Sequence, residues 1–373
     1  MILDVQSSVV YASLVLTKEG ENPFVIFYTK KDIRFREKQT SSQLITATVA
    51  SIKSIMSSAL EYLVTLRQSS TDIPKKISGI HYVLSSPWIL SESKRIEVTF
   101  DSPTAITHDL IRNIIDDERE KLSVGAHAEG KSVEVEEKIF NIELNGYTVA
   151  DWIGKKANSL SVSFITSISG TKMIERFRDI SSSVMNRHNV FFHSSLFLQY
   201  LGIVHLFPEK KNYILTHVHG EITDIVIVTK NACVFFGTFP MGTNTILRSL
   251  SHKSHRGMKT TESMVKLRIN DALSSDADID SDLIDAEYDK WVEEFEKMAK
   301  YESGNTHIMS PIILSTHDSY DLFKMSLERK FPNITIEPFS EDQSRTEVGY
   351  GQSLNRSVLA DLYIIAIEKF RLQ

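Results

Sequence analysis

The sequence is short of the residues that several classes of protein need. Its single cysteine, Cys233, excludes a disulfide framework and a cysteine zinc site. That cysteine lies in "NACVFFG", which reads as a buried strand, so it reads as a core side chain. Glycine is scarce as well: 15 residues, about 4% against a usual ~7%, which weighs against loops of bare backbone. Basic residues do not predominate, and a net charge of −6 argues against a nucleic-acid binder, because phosphate backbones need clustered Lys and Arg. No run approaches the ~20 apolar residues of a membrane span. The opening "MILDVQSS" lacks the basic region and apolar stretch of a signal peptide, so a cytoplasmic location is expected.

What is there belongs to an ordinary globular chain, and 373 residues suffice for two or more domains. The chain opens with a strand, Ile2 to Val5, a polar turn at Gln6 to Ser8, a strand from Val9 to Leu16, and a third in "PFVIFYT". This is a β-meander with short connections. From Ser42 to Arg67 apolar residues recur at 3-4 spacing, among them Ile45, Val49, Ile52, Met56 and Leu63, which predicts a core-facing helix. "GIHYVLSSPWIL" reads as a buried strand. Next come the alternating strand "RIEVTF" and a helix "ITHDLIRNIIDDEREKL" with Thr107 as N-cap. A loop "GAHAEGKS" leads to strands around a turn at Asn145-Gly146. A helical segment follows at about Thr171 to Arg187.

A second meander begins at Tyr213 with "YILTHV", "TDIVIVTK" and "ACVFFGTF", and it repeats the opening pattern. Helices are expected at "TNTILRSLSHK", "TTESMVKLRINDAL", "AEYDKWVEEFEKMAKY", "SYDLFKMSLERKF" and "RSVLADLYIIAIEKF". Strands are expected at "PIILST" and "ITIEPF". Two copies of a meander followed by helices and strands describe a two-lobed α/β protein, in which ligands commonly sit between the lobes.

This pattern resembles the actin-like ATPase superfamily, and within it the bacterial group of FtsA (cell division) and PilM (type IV pilus assembly). The resemblance covers nearly the whole chain. Its best local match is "EEKIFNIELNGYTVADWIGKKANSLSVSFI", Glu136 to Ile165, similar to the 1C subdomain that FtsA-type proteins insert into their first lobe. A second is "GEITDIVIVTKNACVFFGTFPMGTNTILRSL", similar to the family's second phosphate loop and the segment after it. The resemblance implies an α/β, two-lobed actin-like ATPase fold (ribonuclease H-like, duplicated) with an α+β 1C insertion in the first lobe. Residues 1–91 and 171–210 then form lobe 1 (1A), 92–170 the 1C insert, and 211–373 lobe 2, with a helical 2B insertion at about 243–308.

In that family three loops grip ATP, and the resemblance implies their positions here. The first is "LDVQSS": Asp4, the Mg²⁺-linked acid, is kept, Ser7 and Ser8 are kept as hydroxyl donors, and the usual glycine is Gln6. The second is "HVHGEITD": Gly220, Glu221, Thr223 and Asp224 match, while the leading Asp is His217 and the next glycine is His219. The third is "ILSTHDS": Ser315 precedes Thr316 and His317, which stand where two glycines belong. Those glycines matter because bare N–H groups cradle phosphate oxygens, and a Cβ blocks the approach or forbids a φ > 0 turn. The leading Asp helps place Mg²⁺, which neutralises the phosphates. Losses in all three loops imply a non-hydrolysing member that binds ATP and Mg²⁺ weakly or not at all. In an active relative, Glu221 or Asp224 would position water. Read without the family, the same Ser, Thr and Asp residues are ordinary turn-capping groups.

Other constellations are weaker. His217 and His219, two apart on a strand end, face one side and have a spacing that can bind zinc or copper, with His252, His255 or His317 as a third ligand. No supporting carboxylate or cysteine is evident, and a solvent-facing or cleft-lining polar pair is the expectation. In "DADIDSDLIDAE", Asp276 to Glu287, acids fall at positions 1, 3, 5 and 12 of a calcium-loop template, but Ser281 replaces the required glycine and a solvated acidic loop is expected.

The C-terminal helix, Ser357 to Leu372, reads as core packing, with no linker and no cationic amphipathic tail after it. In this the chain is more like PilM, which binds the cytoplasmic tail of a membrane partner. The resemblance thus implies an adaptor on the inner face of the membrane, docking such a tail between the first lobe and the 1C insert. No direct membrane insertion is expected, and with the net charge of −6 no nucleic acid. The alternative is an ATP-binding FtsA-like filament former, in which the chain is its own partner as a homo-oligomer.

Overall fold

The computed structural model describes the chain except for residues 34–39, 70–72, 75, 124–131, 150, 186–188, 230–231, 270–277, 304–309, 317–318, 340, 353 and 371–373. In the first lobe β1 (Ile2–Val5), β2 (Val9–Leu16) and β3 (Phe24–Asp32) pair antiparallel as a meander. Gln6 N–H closes the first turn on the Val9 carbonyl at 3.0 Å. α1 (Ser41–Ser69) buries Ile52, Ile55, Met56, Ala59 and Leu63, one stripe at helical spacing, against this sheet. By length and composition alone α1 could cross a bilayer, a test that core helices also pass.

β4 (Gly79–Leu84) runs parallel to β1. The strand expected through Leu90 stops at Leu84, because the chain turns: Trp88 N–H donates to the Ser85 carbonyl at 3.0 Å, and Pro87 has no N–H for a ladder. A separate sheet then forms from β5 (Leu90–Ala105), β6 (Ser132–Leu144), β7 (Tyr147–Thr148) and β8 (Lys156–Gly170), in the order β5-β8-β6-β7. α2 (His108–Ser123) gives this sheet its own core around Ile111, Ile115, Leu160 and Val162. Asn145 and Gly146 both have positive φ, as the two-residue hairpin between β6 and β7 requires. The expected loop "GAHAEGKS" lies outside the described residues, apart from Ser132 at the start of β6.

α3 (Thr171–Met185) returns to the first sheet, where β9 (Asn189–Ser194) pairs parallel with β4 and leads into α4 (Ser195–Leu206). No periodicity announces β9 and α4: Ser195 to Ile203 is buried on every side, so α4 carries no polar face to set a 3.6-residue stripe.

The second lobe repeats the plan. β10 (Tyr213–Val218), β11 (Thr223–Thr229) and β12 (Ala232–Phe239) form an antiparallel meander. α5 (Thr243–Ser254), α6 (Met258–Ile269) and α7 (Asp278–Ser303) follow, then β13 (Ile312–Thr316), parallel to β10, α8 (Tyr320–Lys330), and β14 (Ile336–Pro338), parallel to β13. The segment expected as a solvated acidic loop is helix from Asp278 onward. Ile284, Tyr288, Trp291, Val292 and Phe295 form the buried stripe that draws it in. Its carboxylates go to ion pairs: Glu287 with Lys253 and Lys290, Asp285 with Arg268 and Arg329. Asp276 lies outside the described residues. The chain ends with α9 (Glu341–Ser344), β15 (Gly349–Tyr350), which adds to β3 of the first sheet, and α10 (Val358–Lys369).

α4 and α10 cross between the lobes and share one core with both sheets, including Ile2 and Val83 from the first and Leu215 and Val226 from the second. The crossing is tightest at Gly202, where a Cβ would sit 2.9 Å from the Leu362 carbonyl oxygen and 3.0 Å from its Cα. Alanine would gain about 1 kcal/mol of helix propensity, but a clash with backbone cannot be relieved by a rotamer. Gly202→Ala should therefore lower the unfolding free energy by about 1–3 kcal/mol in urea denaturation. An unchanged or raised midpoint would show that the crossing is loose.

Candidate functional site

Strand alternation decides which side chains meet between the lobes. Along β1, Ile2 belongs to the shared core while Leu3 and Val5 face α1 and α3, so Asp4 points inward. Along β10, Tyr213 and Leu215 face the shared core and Ile214 and Val218 the opposite side, so His217 points inward too. Asp4 lies opposite Tyr11, and His217 lies opposite Asp224 on one side and Ser315 on the other. Asp4 and His217 thus hold equivalent places in the two meanders.

At the first hairpin the Gln6 amide donates to Asp4 Oδ2 at 2.8 Å, and the Trp88 indole N–H donates to the Gln6 carbonyl at 2.8 Å. Burial pushes the Asp4 carboxyl up to about 7, against the opposing pull of the Gln6 hydrogen bond and of His219; the charge of Asp224 adds to the rise. Asp4 Oδ1, Gln6 Oε1 and Ser7 Oγ are buried with no hydrogen-bond partner among the described residues.

At the second hairpin His219 Nε2 lies 2.8 Å from Asp224 Oδ2, and Thr238 donates to Asp224 Oδ1 at 2.6 Å. The Thr223 hydroxyl donates to the Met241 carbonyl at 2.6 Å and accepts from the Trp291 indole at 2.8 Å. Arg248 grips Glu221 with two hydrogen bonds, at 2.9 and 2.5 Å, and Asn244 adds a third at 3.2 Å. The first amides of α5 are also engaged. Thr243 N–H donates to the His219 carbonyl at 3.0 Å and Asn244 N–H to the Gly220 carbonyl at 2.7 Å. A helix N-terminus that could receive a phosphate therefore holds protein carbonyls. Gly220 and Gly242 are required by packing: a Cβ on Gly220 would meet Ser8 Oγ and Asn244 Nδ2, and one on Gly242 would meet the carbonyls of His219 and Gly220.

The structure thus brings Asp4, Ser7, Ser8, Gly220, Thr223 and Asp224 to one seam, with Glu221 turned to Arg248. Ser315 and Thr316 line an adjoining cavity of about 460 Å³ between the lobes, with Tyr11, His217, Tyr320 and Arg356. His317 lies outside the described residues. Of the two settings expected for the histidine pair, solvent-facing or cleft-lining, His217 takes the second by lining this cavity, and both rings are about 1% exposed and meet edge-on at 4.2 Å. Their side chains are pinned under the crossing helices by strand alternation. Among the described residues no group of three or more His, Cys, Asp or Glu is placed to hold a metal. His252 and His255 lie exposed at the end of α5. Sequence reasoning misses Thr238 and Arg248. Thr238 follows from register, being the cross-strand partner of Asp224, whereas no local signal links Arg248 to Glu221.

A second concavity, of about 500 Å³, lies between β6, β9 and α3, lined by residues that include Val133, Val135, Ile174, Arg178, Val190 and Phe192. Among the described residues β9 is the end strand of its sheet, and β6 has only the two residues of β7 beside it, at Glu143 and Leu144, on the side away from β8. At the floor Ser194 N–H donates to Glu136 Oε2 at 3.2 Å, His193 Nδ1 stands 4.0 Å from Glu136 Oε1, and His81 and His193 are 3.0 Å apart. Burial pushes Glu136 up to about 7, and holds His81 down at about 4 and His193 at about 3.

No family model and no curated protein matches this sequence. Solved structures do. A chain of a PilM–PilN type IV pilus biogenesis complex is 10% identical, with 100% of this chain and 98% of that one covered, at a TM-score of 0.66. The ethanolamine utilization protein EutJ from Carboxydothermus hydrogenoformans is 7% identical over 90% of this chain and 83% of its own, at a TM-score of 0.46. A Bacteroides thetaiotaomicron protein with an actin-like ATPase fold is 7% identical over 97% and 94%, at 0.43. The fold is that of the two-lobed actin-like ATPases, in the PilM-type arrangement.

The raised Asp4 pKa has a defined sign. The folded state holds this proton more tightly than the unfolded chain, so its stabilisation is complete below about pH 4 and is lost as pH rises through about 7. Glu136 acts in the same sense, while His81 and His193 act oppositely over their own range. Asp4→Asn isolates the first group. Its stability gain over the wild type should grow from near zero at pH 4 to about 4 kcal/mol at pH 8, measured by urea denaturation. A gain that does not change with pH would show that Asp4 ionises freely in the folded protein.

Proposed function

We propose that this chain is a cytoplasmic actin-fold scaffold of FtsA/PilM type. It docks on the cytoplasmic segment of a membrane protein, at the inner face of the membrane, in a pilus-like or division-like assembly. The observation that carries this reading is the groove between β6, β9 and α3. Among the described residues two strands with open edges flank a trough in which Val133, Val135, Ile174, Val190 and Phe192 alternate with Glu134, Glu137, Lys138 and Arg178, and an extended segment entering it gains backbone hydrogen bonds from the edges and mixed apolar and charged side-chain contacts from the trough. The likeness to a chain of a PilM–PilN complex supports a partner-binding role.

On this reading the nucleotide cleft is degenerate. A phosphate needs free amides and Mg²⁺ needs available carboxylates. Here the α5 amides hold loop carbonyls, Asp224 is held by His219 and Thr238, and Glu221 by Arg248. These residues fit Mg²⁺–ATP poorly, and no step of hydrolysis is assigned to them.

Arg178 is exposed, while Val133 is half-buried at the edge of the first lobe's core, so unfolding of the variant is measured beside its binding. Membrane proteins enriched with the tagged wild type should be lost with the double variant Val133→Asp, Arg178→Glu. Enrichment of none, or retention of the same ones by the variant, sinks the docking reading. Calorimetry with ATP and Mg²⁺ at high protein concentration should show no heat of binding, and a clear isotherm abolished by Asp4→Ala would restore the ATPase alternative.

A further inference from the structure

We propose that Glu136 selects a basic side chain on the segment that docks between β6 and β9, an arginine or lysine set between apolar residues. The inference rests on the docking reading and names what the groove recognises. Strand alternation gives β9 two unlike faces. Val190 and Phe192 pack with the core under α1 and α3, while His193, level with Val83, faces the core shared by the lobes. β6 divides likewise. Val133 and Val135 pack with the first of these cores, and the ladder to β8 shifts between Glu134 and Glu136, which makes Val135 a bulge of the kind that re-aims a neighbouring side chain. Glu136, 5% exposed, lines the groove beside His193. An extended segment along the β9 edge alternates too. Two of its side chains would meet Val190, Phe192 and Ile174, and the one between them would meet Glu136.

The carboxyl of Glu136 is half engaged. Its Oε2 accepts from Ser194 N–H at 3.2 Å, but Oε1 is buried with no hydrogen-bond partner among the described residues. His193 Nδ1, at 4.0 Å, is beyond hydrogen-bond range, and the other ring nitrogen of His193 is turned to His81 at 3.0 Å. Burial keeps both rings neutral at pH 7, so neither supplies a counter-charge. The charged groups around the floor are Glu134, Glu137 and Lys138 on β6 and Arg178 on α3. Arg178 lies over the Phe192 ring at 5.4 Å, and Lys138, exposed two residues along, draws Glu136 toward its ionised form without a hydrogen bond to Oε1. A buried carboxyl oxygen without a donor is costly, and the chain by itself meets that cost with a proton, burial pushing Glu136 up to about 7. A guanidinium or ammonium from the docked segment gives Oε1 its donor and the carboxylate its counter-charge in place of that proton. A neutral amide gives only the donor.

The test is a positional array of octapeptides, capped at both ends and probed with the full chain. At one position Arg and Lys should be preferred, with apolar residues preferred on either side. Glu136→Gln, whose amide oxygen can still accept from Ser194 N–H, should lose that preference and bind the selected Arg peptide about tenfold more weakly by calorimetry. Glu134→Gln, at an exposed position, should keep both. In the wild type the same peptide should bind about tenfold more weakly at pH 6 than at pH 8, because Glu136 must give up its proton to pair, and Glu136→Gln should not change over that interval. The wild-type pH series stands even if the variant unfolds. Peptides bound with no basic preference, a preference that Glu136→Gln keeps, or a wild-type affinity that does not fall at pH 6 overturns this inference and leaves the docking groove standing. If no octapeptide binds, the inference falls, and the enrichment of membrane proteins by the tagged chain decides the docking reading separately.

Discussion

The crossing of α4 over α10 at Gly202 is the constraint on which the rest depends. Because no side chain separates the helices there, each sheet can press its inner face onto the pair, and the two lobes share one core. That closeness has a polar consequence. Asp4, His217 and Asp224 all sit on inner faces and are removed from water, as are Ser195, Gln199 and Tyr363 in the helices. A buried polar group without a partner costs about 1–3 kcal/mol, so this layer must satisfy itself or be satisfied by something that enters it.

It satisfies itself in part at the hairpins. Gln6 folds onto Asp4, His219 and Thr238 hold Asp224, and Ser195 and Gln199 bond one another while Tyr363 closes on Ser195 at 2.8 Å. At these turns the polar side chains take up one another's hydrogen bonds, Gln6 with Asp4 and His219 with Asp224. Gly220 and Gly242 are fixed by close packing between loops. Among the described residues a few atoms at both hairpins stay without a hydrogen bond, His219 Nδ1 at the second and, at the first, Asp4 Oδ1, whose burial favours the protonated form.

The inserted sheet is fastened to both lobes by aromatic contacts. Phe140 on β6 meets Tyr200 of α4 at 5.9 Å and Phe236 of β12 at 6.0 Å, and Ser93 on β5 accepts from Phe236 N–H at 3.1 Å. The same β6 that makes this junction forms one wall of the groove against β9. The groove is therefore set between two rigid sheets and fixed at its floor by Glu136 and Ser194. Its shape depends on the insert's position, which the helix crossing helps to hold.

The sequence by itself determined the local structure wherever neighbours along the chain carry the signal. The two meanders, the α1 stripe and the Asn145-Gly146 turn are written in period-2 and period-4 spacing and in residues tolerant of positive φ. The places of the two hairpin loops were legible for the same reason. The tertiary structure alone decided what has no local period. α4 is apolar on all sides, so only its crossing partner defines its faces. The acidic run at Asp278 became helix because a distant core accepts Ile284 and Trp291. His217 and His219 became buried because α4 and α10 cover the sheet above them. Arg248 reached Glu221 across a turn of helix and a hairpin. Local periodicity is fixed by the backbone's own geometry, whereas burial and pairing across lobes depend on which surfaces the folded chain brings together.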